Sequence, residues 1–180
     1  KTQLKIRVCL FRFPLVSDFL HAVSFGIYGS NLISGHFEEE LTRLFQGLEI
    51  LRSRANHPLF NTKTPIALIT GGGPGVMEVG NKVAKSLNLL SCANIVDFRA
   101  QSGTFVNEQL QNPYVDIKMT YRLDRLVERQ AEFNLDFPIF LEGGIGTDFE
   151  YCLEEVRRKV GSTASTPILL FGPPEYWKQK

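Results

Sequence analysis

The sequence predicts an α/β fold, a doubly wound parallel sheet with helices on both faces. Short apolar runs alternate with stretches of helical periodicity along the chain. One of the runs, Ile66-Ala67-Leu68-Ile69, is apolar throughout, which is typical of a strand buried on both faces. Two predicted strands run directly into glycine-rich turns that open helices. Together these three observations favour a Rossmann-like sheet.

The predicted elements follow one another in alternation. Strands are predicted over residues 23–28, 66–70, 93–98, 114–119, 137–141 and 167–171. Helices are predicted over residues 36–54, 76–90, 121–134 and 148–160. The last helix shows the period most clearly, because its apolar residues share one face: Phe149, Cys152, Leu153, Val156 and Val160. The run Pro173-Pro174-Glu175-Tyr176-Trp177 predicts the start of a further helix, with proline in its first turn.

The chain has 180 residues, which predicts a single domain. We expect residues 1–22 to form an N-terminal extension. This extension does not resemble a signal peptide, because Arg7, Arg12 and Pro14 interrupt its apolar run. The last predicted helix begins close to Lys180, so we expect the natural protein to be longer or to carry a disordered tail.

Composition argues against several classes of protein. Lys+Arg 20 against Asp+Glu 19 gives a net charge of +1, which argues against nucleic-acid binding. No apolar run approaches the roughly 18 residues of a membrane span. The chain has 3 cysteines, Cys9, Cys92 and Cys152, without a CxxC pair. This spacing predicts a reducing, cytoplasmic environment and argues against a disulfide scaffold or a zinc site.

The first glycine loop (residues 71–75) follows the predicted strand 66–70. It opens the run Gly71-Gly72-Gly73-Pro74-Gly75-Val76-Met77-Glu78. Glycine lets a ligand approach the backbone, and a helix N-terminus offers unpaired N–H groups that suit phosphate. The spacing is neither the dinucleotide GxGxxG nor a P-loop. A tight turn is the structural alternative, but four glycines in five residues exceed what a turn requires.

The second glycine loop (residues 142–147) follows the predicted strand 137–141. The run continues as Glu142-Gly143-Gly144-Ile145-Gly146-Thr147-Asp148-Phe149-Glu150. Thr147 and Glu150 have capping-box spacing, so Glu150 could merely cap a helix. Two phosphate-type loops in one sheet favour a ligand site instead. We expect Glu150 in the first helical turn, ionised at neutral pH by the helix dipole, as a base or as an anion facing positive charge.

The two loop motifs together resemble those of the LONELY GUY-type family, Rossmann-like nucleotide-binding proteins also labelled "lysine decarboxylase-like". The resemblance extends to Gly26-Ile27-Tyr28-Gly29-Ser30, and to Asn107-Glu108-Gln109 followed by Asn112-Pro113-Tyr114. It spans roughly residues 24–177. The chain differs from the family pattern at Glu142, where the family has proline, and at Gln130, where lysine follows the family arginine. The stretch from Arg129 to Gly143 is also shorter.

The resemblance implies a homodimeric nucleoside 5′-monophosphate phosphoribohydrolase, similar to AMP nucleosidase, that releases free base and ribose 5-phosphate. It implies catalytic roles for Glu150 and for one arginine, Arg129 or, as the reserve candidate, Arg125. No metal or cofactor is expected. The residues expected to bind the nucleotide and its phosphate are Gly71, Gly72, Gly73, Gly75, Val76, Met77, Asn81, Gly143, Gly144, Ile145, Gly146 and Thr147.

The motifs also bear on two functions other than hydrolysis. A non-catalytic nucleotide carrier or sensor would keep the pocket without the chemistry, and related folds include carriers of molybdenum cofactor. Decarboxylation of the kind named in the family label needs a lysine Schiff base, and neither loop carries a lysine placed for one.

Overall fold

The computed structural model describes residues 13–30, 37–55, 61–96, 110–116, 119–123, 126–133 and 135–180. Its elements, in chain order, are α1 (Phe13–Leu20), β1 (Val23–Tyr28), α2 (Phe37–Arg54), β2 (Ile66–Thr70), α3 (Val76–Ser86), β3 (Leu90–Val96), β4 (Thr120–Leu123), α4 (Leu126–Glu132), β5 (Phe137–Phe140), α5 (Ile145–Lys159), β6 (Leu169–Leu170) and α6 (Pro174–Lys178).

The strands form one six-stranded sheet in the order β4-β3-β2-β1-β5-β6. Every pairing is parallel. On one side of β1, Phe25 lies opposite Leu68 of β2, and on the other side it lies opposite Phe137 of β5. The strand order therefore reverses at β1. In open α/β sheets, ligands bind beyond the carboxyl ends of the strands at such a reversal.

Apolar side chains of successive strand residues build a core on each face of the sheet. On one face Phe25 packs edge-on against Phe45 of α2, with ring centroids 5.1 Å apart. On the other face Tyr28 stacks on Phe140 at 4.6 Å, with Tyr151 of α5 packed against them. The first core joins the sheet to α2 and α3 through Phe37, Leu41, Phe45, Val76, Val79 and Val83. Helices thus cover both faces, and the predicted fold class is confirmed.

The predicted helix over residues 76–90 is too long. Helix α3 ends at Ser86, because Asn88 takes a left-handed conformation with φ 56°. The N–H of Leu89 then donates to the carbonyl of Ala84, and the N–H of Asn88 donates to that of Lys85. These are the bonds of a Schellman C-cap, which asparagine tolerates. Strand β3 consequently starts at Leu90 rather than at residue 93, and residues 97–98 of that prediction lie outside the described residues.

The predicted strand over residues 114–119 is wrong at residues 114–116 and 119, which are not strand, while residues 117–118 lie outside the described residues. The N–H of Tyr114 donates to Oδ1 of Asn112 at 3.1 Å, which makes a turn around Pro113. The strand that pairs with β3 is β4, where Thr120 lies opposite Ala93. Residues 121–123 therefore belong to a strand rather than to the predicted helix 121–134, and α4 is only seven residues long.

The observed bounds of the remaining elements differ less from the predicted ones. β1 and β2 match their predicted ranges, and α6 begins with proline as expected. Helix α5 begins at Ile145, three residues before the predicted start. Helix α1 lies within the expected N-terminal extension, of which residues 1–12 lie outside the described part. In the part of the chain that the structure describes, no helix has the length and apolar character needed to cross a membrane.

Candidate functional site

The two glycine loops lie side by side at the carboxyl end of β1. The N–H of Ser30, just after β1, donates to the carbonyl of Glu142 in the second loop at 3.1 Å. The carbonyl of Ser30 accepts a hydrogen bond from the N–H of Val76 at the start of α3, also at 3.1 Å. The backbone after the central strand therefore joins both loops at the reversal of strand order.

The first glycine loop requires glycine for steric reasons. Gly72 and Gly75 have φ of +75° and +68°, values that side chains disfavour. A Cβ at Gly72 would also lie 2.7 Å from Ile95 Cγ1. The N–H and the carbonyl of Gly72 are both bonded, to Thr70 Oγ1 and to the N–H of Asn112, each at 2.9 Å. The loop is thus held rigidly against β3 and the segment around Asn112.

Asn81 supports this loop from within the protein. It is fully buried, and its Oδ1 accepts hydrogen bonds from Thr70 Oγ1 at 2.7 Å and Asn112 Nδ2 at 3.0 Å. Its Nδ2 donates to Ser91 Oγ at 2.9 Å and to the carbonyl of Cys92 at 3.2 Å. Both polar atoms of the Asn81 amide are therefore engaged by protein groups, and Asn81 holds the loop from the buried side.

The second glycine loop opens α5 with an exposed N-terminal turn. Gly144 is the N-cap, and the side chain of Ile145 is 88% exposed. The N–H groups of the first turn, Ile145, Gly146 and Thr147, have no intrahelical acceptors, and the helix dipole favours negative charge there. A Cβ at Gly143 would lie 2.1 Å from Thr147 Oγ1, so Gly143 allows Thr147 to fold back against the loop.

Glu150 does not cap the helix. No side chain caps α5, and Glu150 stands six residues after Gly144, in the second turn. The capping-box alternative is therefore wrong, and so is the expectation that Glu150 lies in the first turn. Asp148 is the acidic residue of that turn. Any stabilisation of an ionised Glu150 comes from its neighbours rather than from the helix dipole.

Glu150 forms a buried pair with Arg129 of α4. Arg129 Nη2 donates to Glu150 Oε1 at 3.0 Å, and Gln130 Nε2 donates to the same oxygen at 2.5 Å. The side chains of Arg129 and Glu150 are 7% and 16% exposed. Both donors bind Oε1, and Oε2 has no hydrogen bond to any described residue. The alternative arginine, Arg125, lies outside the described residues.

Burial shifts the pKa values of both members of this pair. Loss of solvent raises the pKa of Glu150 above 4.5, while the positive charge of Arg129 and the hydrogen bond from Gln130 oppose the rise. Burial lowers the pKa of Arg129, and the charge of Glu150 opposes that shift. Arg129 Nε and Gln130 Oε1 are also buried without a hydrogen-bond partner among the described residues. Shifted pKa values and buried polar atoms without partners are typical of functional sites.

Arg129 also reaches the first glycine loop. A Cβ at Gly71 would lie 3.0 Å from Arg129 Nη1 and 2.7 Å from Met77 Sδ. Met77 also lies against Gly73, where a Cβ would meet its Cε at 2.8 Å. The structure thus places the first loop, Met77, Arg129 and Glu150 in one chain of contacts.

Sequence reasoning missed a second buried carboxylate behind this pair. Glu154, one helical turn after Glu150, is 2% exposed and accepts a hydrogen bond from Tyr28 Oη at 3.2 Å. Arg157 and Arg158 balance its charge. Burial, followed by the charge of Glu154, raises the pKa of Tyr28 well above its ordinary value. The spacing of Glu150 and Glu154 on one helix face was the signal available in the sequence.

Of two further features singled out in the sequence, the structure places Glu142 but not residues 107–109. The Glu142 side chain packs toward the C-terminal segment, since a Cβ at Gly172 would lie 3.0 Å from Glu142 Oε1. Residues 107–109, which form part of the family resemblance, lie outside the described residues. No cluster of three or more His, Cys, Asp or Glu side chains within the described ranges could hold a metal ion.

Comparisons with known proteins bear on the fold alone. No protein-family model and no curated protein matches the chain. Among solved structures, the chain is similar to the X-ray structure of TM1055, a structural-genomics target, at 18% sequence identity. That match covers 81% of this chain and 72% of the other, with a TM-score of 0.46. Sequence identity this low says nothing about activity, so the function proposed below rests on the residues around the two glycine loops.

Proposed function

We propose that the protein is a nucleoside 5′-monophosphate phosphoribohydrolase that releases free base and ribose 5-phosphate. One observation carries the proposal. A buried Arg129–Glu150 pair joins the first glycine loop, which Arg129 contacts at Gly71, to the helix that the second loop opens. Both hydrogen bonds from described residues to the Glu150 carboxylate end on Oε1, and Oε2 has none from the described part of the chain. Loops that favour a phosphate next to a desolvated carboxylate suit a ligand that carries both a phosphate and a glycosidic bond.

Glu150 Oε2 would carry out the chemistry. Breaking the N-glycosidic bond develops positive charge on the sugar ring, which a neighbouring carboxylate stabilises. Oε2 would also accept a proton from the attacking water while water oxygen bonds to the anomeric carbon. The bond electrons leave with the base, which takes up a proton from solvent. Arg129 and Gln130 hold Oε1 and so orient Oε2 toward the sugar.

The phosphate would bind at the opening of α5. The N–H groups of Ile145, Gly146 and Thr147 and the Thr147 hydroxyl are the proposed donors, with Gly143 and Gly144 giving access. The first glycine loop with Val76 and Met77 would hold the other side of the nucleotide. Arg129 adds a fixed positive charge between the two loops. These steps use only side chains, backbone and water.

We also propose that the protein forms a homodimer, as the family resemblance implies. Helix α5 and its C-cap expose four large apolar side chains at helical spacing: Ile145, Phe149, Val156 and Val160. The helix has an acidic residue in its first turn and basic residues in its last. Antiparallel packing of two α5 helices about a twofold axis would cover the apolar stripe and set opposite charges against each other.

The test is release of free base from a panel of nucleoside 5′-monophosphates, starting with AMP and followed by chromatography. We expect release by the native chain and a loss on the order of 10²–10³ in rate for Glu150→Gln. Glu155→Gln, on the exposed side of the same helix, is the matched control and should keep its activity. Tight binding of a monophosphate that stays intact would overturn the hydrolase and favour a nucleotide or molybdenum-cofactor carrier.

A further inference from the structure

We propose that Tyr176 is a positioning residue that fixes the second glycine loop for the phosphate of the ligand. Tyr176 belongs to α6, which follows the last strand of the sheet. The proposal rests on the proposed function, because it assigns Tyr176 to the loop that would hold the 5′-phosphate.

The Tyr176 hydroxyl binds both backbone polar groups of Gly143. It accepts a hydrogen bond from the Gly143 N–H at 2.9 Å and donates one to the Gly143 carbonyl at 2.6 Å. The Tyr176 hydroxyl therefore restrains the peptide groups on both sides of Gly143. The Gly143 amide is not available to an anion, so the donors for a phosphate begin beyond it, toward the first turn of α5.

The segment that carries Tyr176 is itself anchored at two points. Trp177 packs edge-on against the Tyr176 ring at 4.9 Å, and its Nε1 donates to the carbonyl of Phe171 at 2.9 Å. Lys180 Nζ contacts both carboxylate oxygens of Asp148 at 2.7 Å and lies 5.6 Å from the Tyr176 ring centroid. The segment thus holds Gly143 before the helix and Asp148 within its first turn.

This arrangement predicts that loss of the Tyr176 hydroxyl weakens binding only of ligands that carry a phosphate. Backbone N–H groups bind an oxyanion well only when they are held in place beforehand. Without the Tyr176 hydroxyl, Gly143 can shift and the first turn of α5 loses part of its restraint. Contacts to the base and to the sugar do not depend on this loop and should stay as they are.

The experiment compares Tyr176→Phe with Tyr151→Phe. Tyr151 is the matched control, because the exposed Glu155 is the one described residue that its hydroxyl binds and its ring stays packed on Phe140. Calorimetry measures binding of ribose 5-phosphate and, separately, of adenine. For Tyr176→Phe we expect about tenfold weaker binding of ribose 5-phosphate, unchanged binding of adenine, and a raised KM for AMP with kcat almost unchanged. Tyr151→Phe should match the native chain.

Equal binding of ribose 5-phosphate by Tyr176→Phe and the native chain would overturn the proposal, as would a native chain that binds no ribose 5-phosphate. Weaker binding by Tyr176→Phe in a protein that releases no base would overturn the hydrolase and support the positioning role. If Tyr176→Phe does not fold, Lys180→Met removes the second anchor at an accessible position. Lys180→Met should then weaken ribose 5-phosphate binding, and an unchanged affinity would overturn the proposal.

Discussion

Arg129 Nη2 lies 3.0 Å from Glu150 Oε1, so a buried ion pair joins α4 to α5 beside the first glycine loop. The same two helices meet again further along. Arg157 of α5 donates to the carbonyls of Phe133 at 2.5 Å and Ala131 at 2.6 Å, at the C-terminal end of α4. These two contacts fix the placement of Arg129 and Gln130 relative to Glu150.

Arg157→Met should therefore reduce both stability and activity. The variant leaves the carbonyls of Ala131 and Phe133 without their partner. A partly buried hydrogen bond from a charged donor, such as the one to Phe133, contributes about 1.5–3 kcal/mol, whereas the exposed bond to Ala131 adds little. We expect the free energy of unfolding to fall by about 2 kcal/mol in urea titrations. Arg43→Met is the control, because the Arg43–Glu39 pair is exposed and should change stability by less than about 1 kcal/mol. Equal losses for the two variants would contradict the role given to Arg157.

Glu150→Gln should change how stability depends on pH. Burial raises the pKa of Glu150 above 4.5, so the folded protein holds this proton more tightly than the unfolded chain does. The contribution of Glu150 to stability is then largest at low pH and is lost as pH rises through the folded pKa. The glutamine of Glu150→Gln does not titrate, so the variant does not lose stability in this way as pH rises. The difference in free energy of unfolding, variant minus native, should become more positive from about pH 4 to about pH 8. A difference that becomes more negative would show that Arg129 and Gln130 outweigh burial.

Two alanine substitutions separate packing from helix propensity at the second glycine loop. In Gly143→Ala the new Cβ would lie 2.1 Å from Thr147 Oγ1, so the first turn of α5 must move. We expect a loss of about 1–3 kcal/mol and weaker binding of ribose 5-phosphate. Gly146→Ala is the control, because a Cβ there meets nothing within 4 Å. Alanine is the better helix former, so Gly146→Ala should raise the free energy of unfolding by up to about 1 kcal/mol. Thermal unfolding that ranks the two variants the other way round would contradict the packing.

The sequence was sufficient wherever local pattern and burial agree. β1 and β2 are apolar runs that end at glycines, and their predicted bounds match the structure. The paired glycine loops were likewise expected at one edge of the sheet, and Ser30 joins them there, because parallel strands place their carboxyl ends together.

Contacts between distant residues set the features that the sequence did not predict. The prediction of a strand from residue 114 was wrong because Asn112 makes a turn with Tyr114. The Asn112 side chain also binds Gly73 and Asn81, 39 and 31 residues away. Asn81 was expected at the ligand, yet the fold surrounds its amide with protein partners. No periodicity in a single sequence reveals such pairings.

The exposed apolar stripe of α5 predicts a dimer that one charge can break. Val156 and Ile50 are each 54% exposed, the first on α5 and the second on α2. In an antiparallel pair of α5 helices, Val156→Glu places a carboxylate in the apolar contact of both copies, where it loses water without gaining a partner. We expect the native chain and Ile50→Glu to be dimers by light scattering at micromolar concentration, and Val156→Glu to be a folded monomer. A native chain that is monomeric, or a Val156→Glu variant that stays dimeric, would contradict the interface.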